Sequence, residues 1–119
     1  LKDCYHYIGV IPYKDVLSLM YHSIALINPS KFEGRSSTVE QAKSMGKKII
    51  LSNIPVHKEQ KPRYSKYFEV GNFKKLAHIL MSENNVNQNG INLNYNDILR
   101  KNNEDLLNYY KAYIKLISE

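Results

Sequence analysis

Residues 24–51 read IALINPSKFEGRSSTVEQAKSMGKKIIL, and the fold class turns on them. Ile24-Ala25-Leu26-Ile27 is a compact apolar run of strand length. Asn28-Pro29-Ser30 stops it, because proline removes a backbone donor and fixes its own φ. A loop follows through Gly34. A helix is expected from about Thr38 to Met45, with Gly46 where a left-handed helix terminus belongs. Lys48-Ile49-Ile50-Leu51 is the next strand. Strands that are apolar throughout, alternating with helices, indicate a parallel sheet covered on both faces.

The same alternation extends outward. Tyr5 to Val10 reads as a strand that turns at Pro12, and Asp15 to Tyr21 as a short helix with one buried face, with apolar residues at Val16, Leu17, Leu19 and Met20. Downstream, Ser52-Asn53-Ile54-Pro55 turns the chain and Val56 to Gln60 fits one helical turn. Tyr67 to Val70 is a further strand, and Phe73 to Met81 a helix with Phe73, Leu76, Ala77 and Leu80 on one side. Strands near 5–9, 24–28, 48–51 and 67–70 should therefore run parallel, joined by right-handed crossovers. From Asn84 to Asn96, seven of thirteen residues are Asn, a polar stretch suited to a linker. Helical periodicity returns from Asp97 to Ile117. The expected organisation is an α/β, Rossmann-like body over 1–83, an Asn-rich linker over 84–96 and a C-terminal helix over 97–119.

The 119 residues are 43% apolar and 24% charged, which suits one ordinary globular domain or a piece of one. No apolar run approaches the ~18 residues that span a bilayer, and Leu1 to Tyr5 do not read as a signal peptide. Cys4, the single cysteine, excludes an internal disulfide and fits a reducing cytoplasm, where it reads as a small core residue. A chain that opens on Leu1 rather than Met reads as a segment of a longer protein. Seventeen Lys+Arg against eleven Asp+Glu leave a net charge of +6. Two readings stand: an anionic partner such as nucleic acid, a phosphorylated ligand or a membrane face, or the drift of a Lys-, Asn-, Ile- and Tyr-rich composition. The scattered placement of the charges favours drift.

Pro29 to Gly46 carries the most chemistry. It leaves the carboxyl end of a parallel strand and enters a helix, the edge where open α/β sheets bind ligands. Gly34 permits close backbone approach or a positive φ. Ser36, Ser37 and Thr38 put hydroxyls and backbone N–H groups at a helix N-terminus, a seat for phosphate, and Glu33 and Glu40 flank it. The plain alternative is that Ser37-Thr38-Val39-Glu40 is only a capping box and Glu33 a solvated loop acid. His6, His22, His57 and His78 lack metal-ligand spacing and no Asp-x-Asp pair occurs, so no metal is expected. His57-Lys58-Glu59-Gln60 reads as the surface of a helix end. The Tyr and Lys residues of Tyr64 to Tyr67 interleave as in nucleic-acid binders, but no recognition module accompanies them.

The run Pro29-Ser30, Phe32-Glu33-Gly34, Val39-Glu40, Ala42 and Gly46 resembles the donor-site signature of glycosyltransferase family 4, retaining enzymes of the GT-B fold. Gly9 to Pro12 with Asp15, Val16, Leu19 and Tyr21 is similar to the family's preceding strand, turn and helix. Lys48 to Pro55 with Glu59 is similar to the family's next strand and loop, so the resemblance spans about residues 5–82. Glu33 and Glu40 stand one residue closer than is usual there, and Arg35 replaces a frequent aromatic. The resemblance implies that Glu33 lies against the donor sugar as the catalytic-site carboxylate, orienting it for front-face transfer without a covalent enzyme intermediate. It implies that backbone groups near Gly34 and Arg35 hold sugar hydroxyls, that Ser36, Ser37 and Thr38 take the diphosphate, and that Glu40 binds ribose. Main-chain groups near Val10 and Ile11 would meet the base. The implied partner is a nucleoside diphosphate sugar, with no cofactor and no nucleic acid, in a cytoplasmic or membrane-peripheral parent of bacterial-type polysaccharide biosynthesis. The acceptor-binding domain and a basic Arg/Lys pair would lie upstream of Leu1, leaving this segment alone inactive. A non-catalytic nucleotide-binding or interaction module of the same fold is the alternative, and a basic nucleic-acid-binding fragment a more distant one.

Overall fold

A computed structural model describes residues 5–86 and, toward the C-terminus, Arg100, Asn103, Glu104, Leu107, Asn108, Lys111 and Lys115, all of them helical and exposed. The remainder of the expected 84–96 linker and 97–119 helix lies outside the described residues. The elements run α1 (Tyr13–His22), β1 (Ala25–Asn28), α2 (Ser37–Ser44), β2 (Lys48–Ser52), α3 (Pro55–Gln60), β3 (Ser65–Phe68) and α4 (Phe73–Val86). The three strands form one parallel sheet in the order β1-β2-β3. This is the α/β arrangement, a parallel sheet flanked by helices, that the strand-helix alternation implies.

β2 is the sheet's spine. Ile49, Ile50, Leu51 and Ser52 are completely buried, because the strand is paired on both edges and covered on both faces. Side chains alternate across a strand, so its apolar run supplies two cores at once. On one face Ile49 and Leu51 pack with Met20 of α1 and Val39 and Ala42 of α2, with Leu26, Met45 and Tyr67 around them. On the other, Ile50 packs with Phe68 and with Ile79 of α4, beside Ala25 and Leu76. Lys48 of β2 and Lys66 of β3 also face α4 and converge on the buried Glu83, Lys66 at 2.6 Å. Hydrogen bonds from both ammonium groups hold its carboxyl below the ordinary range, outweighing the desolvation that pushes upward.

Three expectations are corrected. Residues 5–9 form no strand: Tyr5, Tyr7 and Ile8 are exposed and the segment joins no ladder. Strand character in a sequence becomes a strand only against a neighbouring backbone, and β1 pairs with β2 alone among the described residues. β3 begins at Ser65 rather than Tyr67, because Ile49 and Ser52 of β2 fix its register opposite Ser65 and Phe68. The chain then leaves the sheet at Glu69 and turns at Gly71, φ 81°. α4 continues past Met81 to Val86, into the first residues of the Asn-rich stretch.

The terminus of α2 forms as its sequence demands. Gly46 adopts φ 64°, and the Lys47 and Gly46 N–H groups donate to the Ala42 and Lys43 carbonyls, each at 2.9 Å. These paired bonds satisfy carbonyls that the helix leaves open, and they aim the chain into β2. Replacing Gly46 with alanine forces a Cβ into the left-handed region, at about 1–2 kcal/mol. Urea denaturation of Gly46→Ala should show that loss, and an unchanged midpoint would contradict this origin of the turn.

Candidate functional site

Parallel pairing brings the ends of β1 and β2 to one edge, and the loops leaving them must satisfy their own polar groups there. Asn28, the last residue of β1, is the hub. Its amide nitrogen donates to Glu33 Oε1 at 2.7 Å and to Ser36 Oγ at 3.1 Å, while its Oδ1 accepts from the Ser30 N–H at 3.1 Å. Ser52, the last residue of β2, donates its hydroxyl to the Ser30 carbonyl. The Pro29–Arg35 loop is thereby tied to both strand ends.

α3 supplies the second wall. Pro55 opens it at the position where a missing N–H costs nothing, and its inward face carries His57 and Gln60, three residues apart and both buried. The Gln60 amide donates to Glu40 Oε1 and to the Ser36 carbonyl, both at 2.9 Å. His57 Nδ1 lies 2.9 Å from the Ser52 carbonyl, and its Nε2 lies 3.8 Å from Glu33 Oε1. One short helix thus addresses both acids, His57 toward Glu33 and Gln60 toward Glu40. Lys43 closes the frame, donating to the Gln60 carbonyl at 2.6 Å and approaching Glu40 Oε2 at 3.2 Å.

The expected site residues divide accordingly. Glu33 and Glu40 stand on either side of the α2 N-terminus, both half-buried. Ser36, not Ser37, caps α2, its buried hydroxyl accepting from the Val39 N–H at 3.4 Å. Glu40 therefore sits one residue beyond the capping-box position, so the capping-box explanation of Ser37 and Glu40 does not hold. Its carboxylate answers to Gln60, Lys43 and Arg35 instead. Ser37 is exposed and Thr38 half-buried in the first helical turn, where backbone N–H groups lack intrahelical acceptors. Arg35, with 73% of its side chain exposed, reaches Glu40 at 3.1 Å. Gly34 has no left-handed φ, and a Cβ there would meet open space. Its backbone lies uncovered for close approach, but the positive-φ reading fails. Val10 is exposed and Ile11 half-buried ahead of α1, and neither is drawn into the network around the acids. Just beyond it, the Tyr13 hydroxyl at the start of α1 accepts from Gln41 of α2 at 2.7 Å.

Both acids are electrostatically prepared. Partial burial pushes Glu33 upward, but hydrogen bonds from Ser30, Asn28 and Ser36, together with the charge of His57, outweigh it and hold the carboxyl below its ordinary range. For Glu40 the upward push of burial is outweighed by the bonds from Gln60 and Lys43 and by the charges of Lys43 and Arg35. Such sites favour ionised carboxylates that accept hydrogen bonds from hydroxyls. Among the described residues no three His, Cys, Asp or Glu side chains group to hold a metal ion, and no helix is long and apolar enough to cross a membrane.

Asn28, Ser52, His57 and Gln60 carry the network, yet the sequence alone presents Asn28 as a strand stop and His57 and Gln60 as helix surface. That surface assignment is overturned by their burial. Comparison with known proteins finds no matching family model, no matching curated protein and no matching solved structure.

A depressed carboxyl pKa stabilises the fold above the ordinary value near 4.5, and the gain is lost as pH falls through the folded-state value. Glu33→Gln and Glu40→Gln should each lower stability at pH 7 by less than about 1 kcal/mol, given the solvent screening of Glu40 and its cations. Each variant's gap to the parent should narrow as pH falls from about 4.5 through the folded-state value. A gap in thermal melts that stays the same at every pH down the acid limb would show that the carboxylate charge is not what the network recognises.

Proposed function

We propose that this chain carries the nucleotide-sugar-binding part of a retaining glycosyltransferase, as its resemblance to glycosyltransferase family 4 implies. One observation carries the reading. Two carboxylates flank the free N-terminus of α2 beyond the carboxyl ends of parallel strands, each addressed by its own buried polar side chain. A helix cap needs only Ser36. A solvated acid needs no buried partner. Holding both acids ionised makes sense where hydroxyls must be gripped beside a phosphate seat.

In this reading the diphosphate lies against the first-turn N–H groups of Ser37 and Thr38, where the helix dipole favours negative charge. The ribose diol donates to Glu40. Arg35, exposed and bound to Glu40 in the free chain, is displaced by the ribose and swings to the diphosphate, for which its planar fork is suited. Glu33 orients the donor sugar beside the uncovered Gly34 backbone. Charge grows on the departing diphosphate as the glycosyl bond breaks, so fixed N–H dipoles and the Arg35 cation stabilise the transition state more than the ground state. No metal is assigned to the site.

Titration of the 119-residue chain with UDP, GDP or ADP should shift the amide signals of Gly34 to Glu40 in the millimolar range. Inorganic phosphate should move only those of Ser37 and Thr38. Glu40→Gln, which retains the fold, should weaken the nucleotide response about ten- to hundredfold by losing a charged acceptor, and leave the phosphate response unchanged. Equal responses to nucleotide and phosphate, or a nucleotide response indifferent to Glu40→Gln, would reduce the site to a nonspecific anion seat.

A further inference from the structure

His57 is completely buried, yet its Nε2 has no hydrogen-bond partner. Such an orphan is costly, since a desolvated polar atom forfeits its water without replacement. The neighbouring bonds decide which nitrogen holds the hydrogen. The Ser52 carbonyl 2.9 Å from Nδ1 can only accept, and the Ser52 hydroxyl spends its hydrogen on the Ser30 carbonyl. Nδ1 therefore carries the hydrogen and donates to the Ser52 carbonyl. In the neutral ring Nε2 is then a bare lone pair. It faces Glu33 Oε1 across 3.8 Å, so two acceptors confront each other with no proton between them.

One proton resolves the conflict. Added to Nε2 from solvent, it makes His57 a cation whose N–H points at the carboxylate, and a closure of about 1 Å brings the pair to charge-assisted hydrogen-bond length. Glu33 can make that movement, because it sits on a loop and 20% of its side chain is exposed. The imidazole cannot, because Ser52 pins it from β2. The other elements packed on α3 leave the ring to Glu33. The Tyr67 hydroxyl of β3 donates to the His57 carbonyl at 3.2 Å, and Lys43 of α2 is directed to the Gln60 carbonyl and Glu40. Around Glu33 itself stand the neutral groups of Asn28, Ser30 and Ser36.

We propose that His57 is the positioning residue of Glu33: protonated at Nε2 and anchored by Ser52, it draws the carboxylate into one fixed orientation at the mouth of the site. Asn28 holds the same oxygen from the end of β1, so the acid is clamped between β1 and α3. The assignment deepens the nucleotide-sugar reading, which supplies the reason for orienting Glu33, but the clamp exists without any ligand.

Nitrogen-15 NMR of the imidazole in the 119-residue chain tests it directly. With Glu33 ionised, His57 Nε2 should show the shift of a protonated, hydrogen-bonded ring nitrogen, and Glu33→Gln should remove that signature at the same pH. Seen from the other side, His57→Asn keeps a donor for Ser52 and deletes Nε2, so the Glu33 Cδ titration should move to higher pH. His57→Gln, whose amide restores a donor where Nε2 stood, should bring part of the shift back. In a UDP titration His57→Asn should weaken binding roughly tenfold, with partial recovery in His57→Gln. An Nε2 signal indifferent to Glu33→Gln overturns the clamp, and needs no His57 variant to fold. UDP affinity unchanged in a folded His57→Asn variant overturns the positioning role. Should the two side chains prove coupled while wild type binds no nucleotide, the clamp stands and the nucleotide-sugar reading fails.

Discussion

Burial of β2 on both edges and both faces is the constraint that shapes every other element. A strand so enclosed must be apolar over Ile49–Leu51, must have helices on each side, and must pair with parallel neighbours whose ends lie together. Parallel strands cannot be joined by tight turns, so each connection crosses back over the sheet and all three strands release their chains at one edge. There the enclosure becomes a polar problem. Ser52 is buried at the end of β2, and buried polar groups must find partners. Ser30 of the loop after β1 and His57 of α3 are the partners it meets.

The acids enter this network as its least ordinary members. Neither is needed to finish a helix or fill a core, and each meets an opposing push from burial that only specific donors overcome. Structural ion pairs also shift carboxylates, and Glu83 makes one: carried on α4 and sunk between Lys48 and Lys66 of the sheet, it has every feature of a packing device. Glu33 and Glu40 differ in place rather than in kind. They stand half-buried at an open edge, beside backbone donors at a helix terminus and a glycine with nothing in front of it. That conjunction distinguishes their surroundings from a buried salt bridge and is what the proposed function rests on.

Where the sequence was legible, local chemistry and tertiary structure agreed. Ile49–Leu51 could hardly be other than an inner strand, and Gly46 could end α2 as only glycine does. Where it misled, a distant partner decided. Tyr5–Val10 has a strand's composition but no ladder to join. Ser65 precedes the apolar part of β3 and belongs to it because Ile49 lies opposite. Ser37 and Glu40 match a capping box in letters, but Ser36 takes the cap once the loop is pulled toward Asn28. His57 and Gln60 look like surface residues because nothing local shows that α3 will fold onto the loop carrying Glu33. The acids were visible from the motif. Their supports were not, since those contacts join residues seventeen or more positions apart in the case of Gln60–Ser36 and Lys43–Gln60.

In the proposed function these supports hold the two carboxylates for a nucleotide's hydroxyls beside a seat for its phosphates. A crystal structure of the chain grown with UDP at saturating concentration tests that most directly. The diphosphate should then lie against the Ser37 and Thr38 N–H groups, with ribose hydroxyls on Glu40 and Arg35 released from Glu40 toward the phosphates. Nucleotide bound elsewhere on the chain, with the Arg35–Glu40 pair still closed, would contradict it.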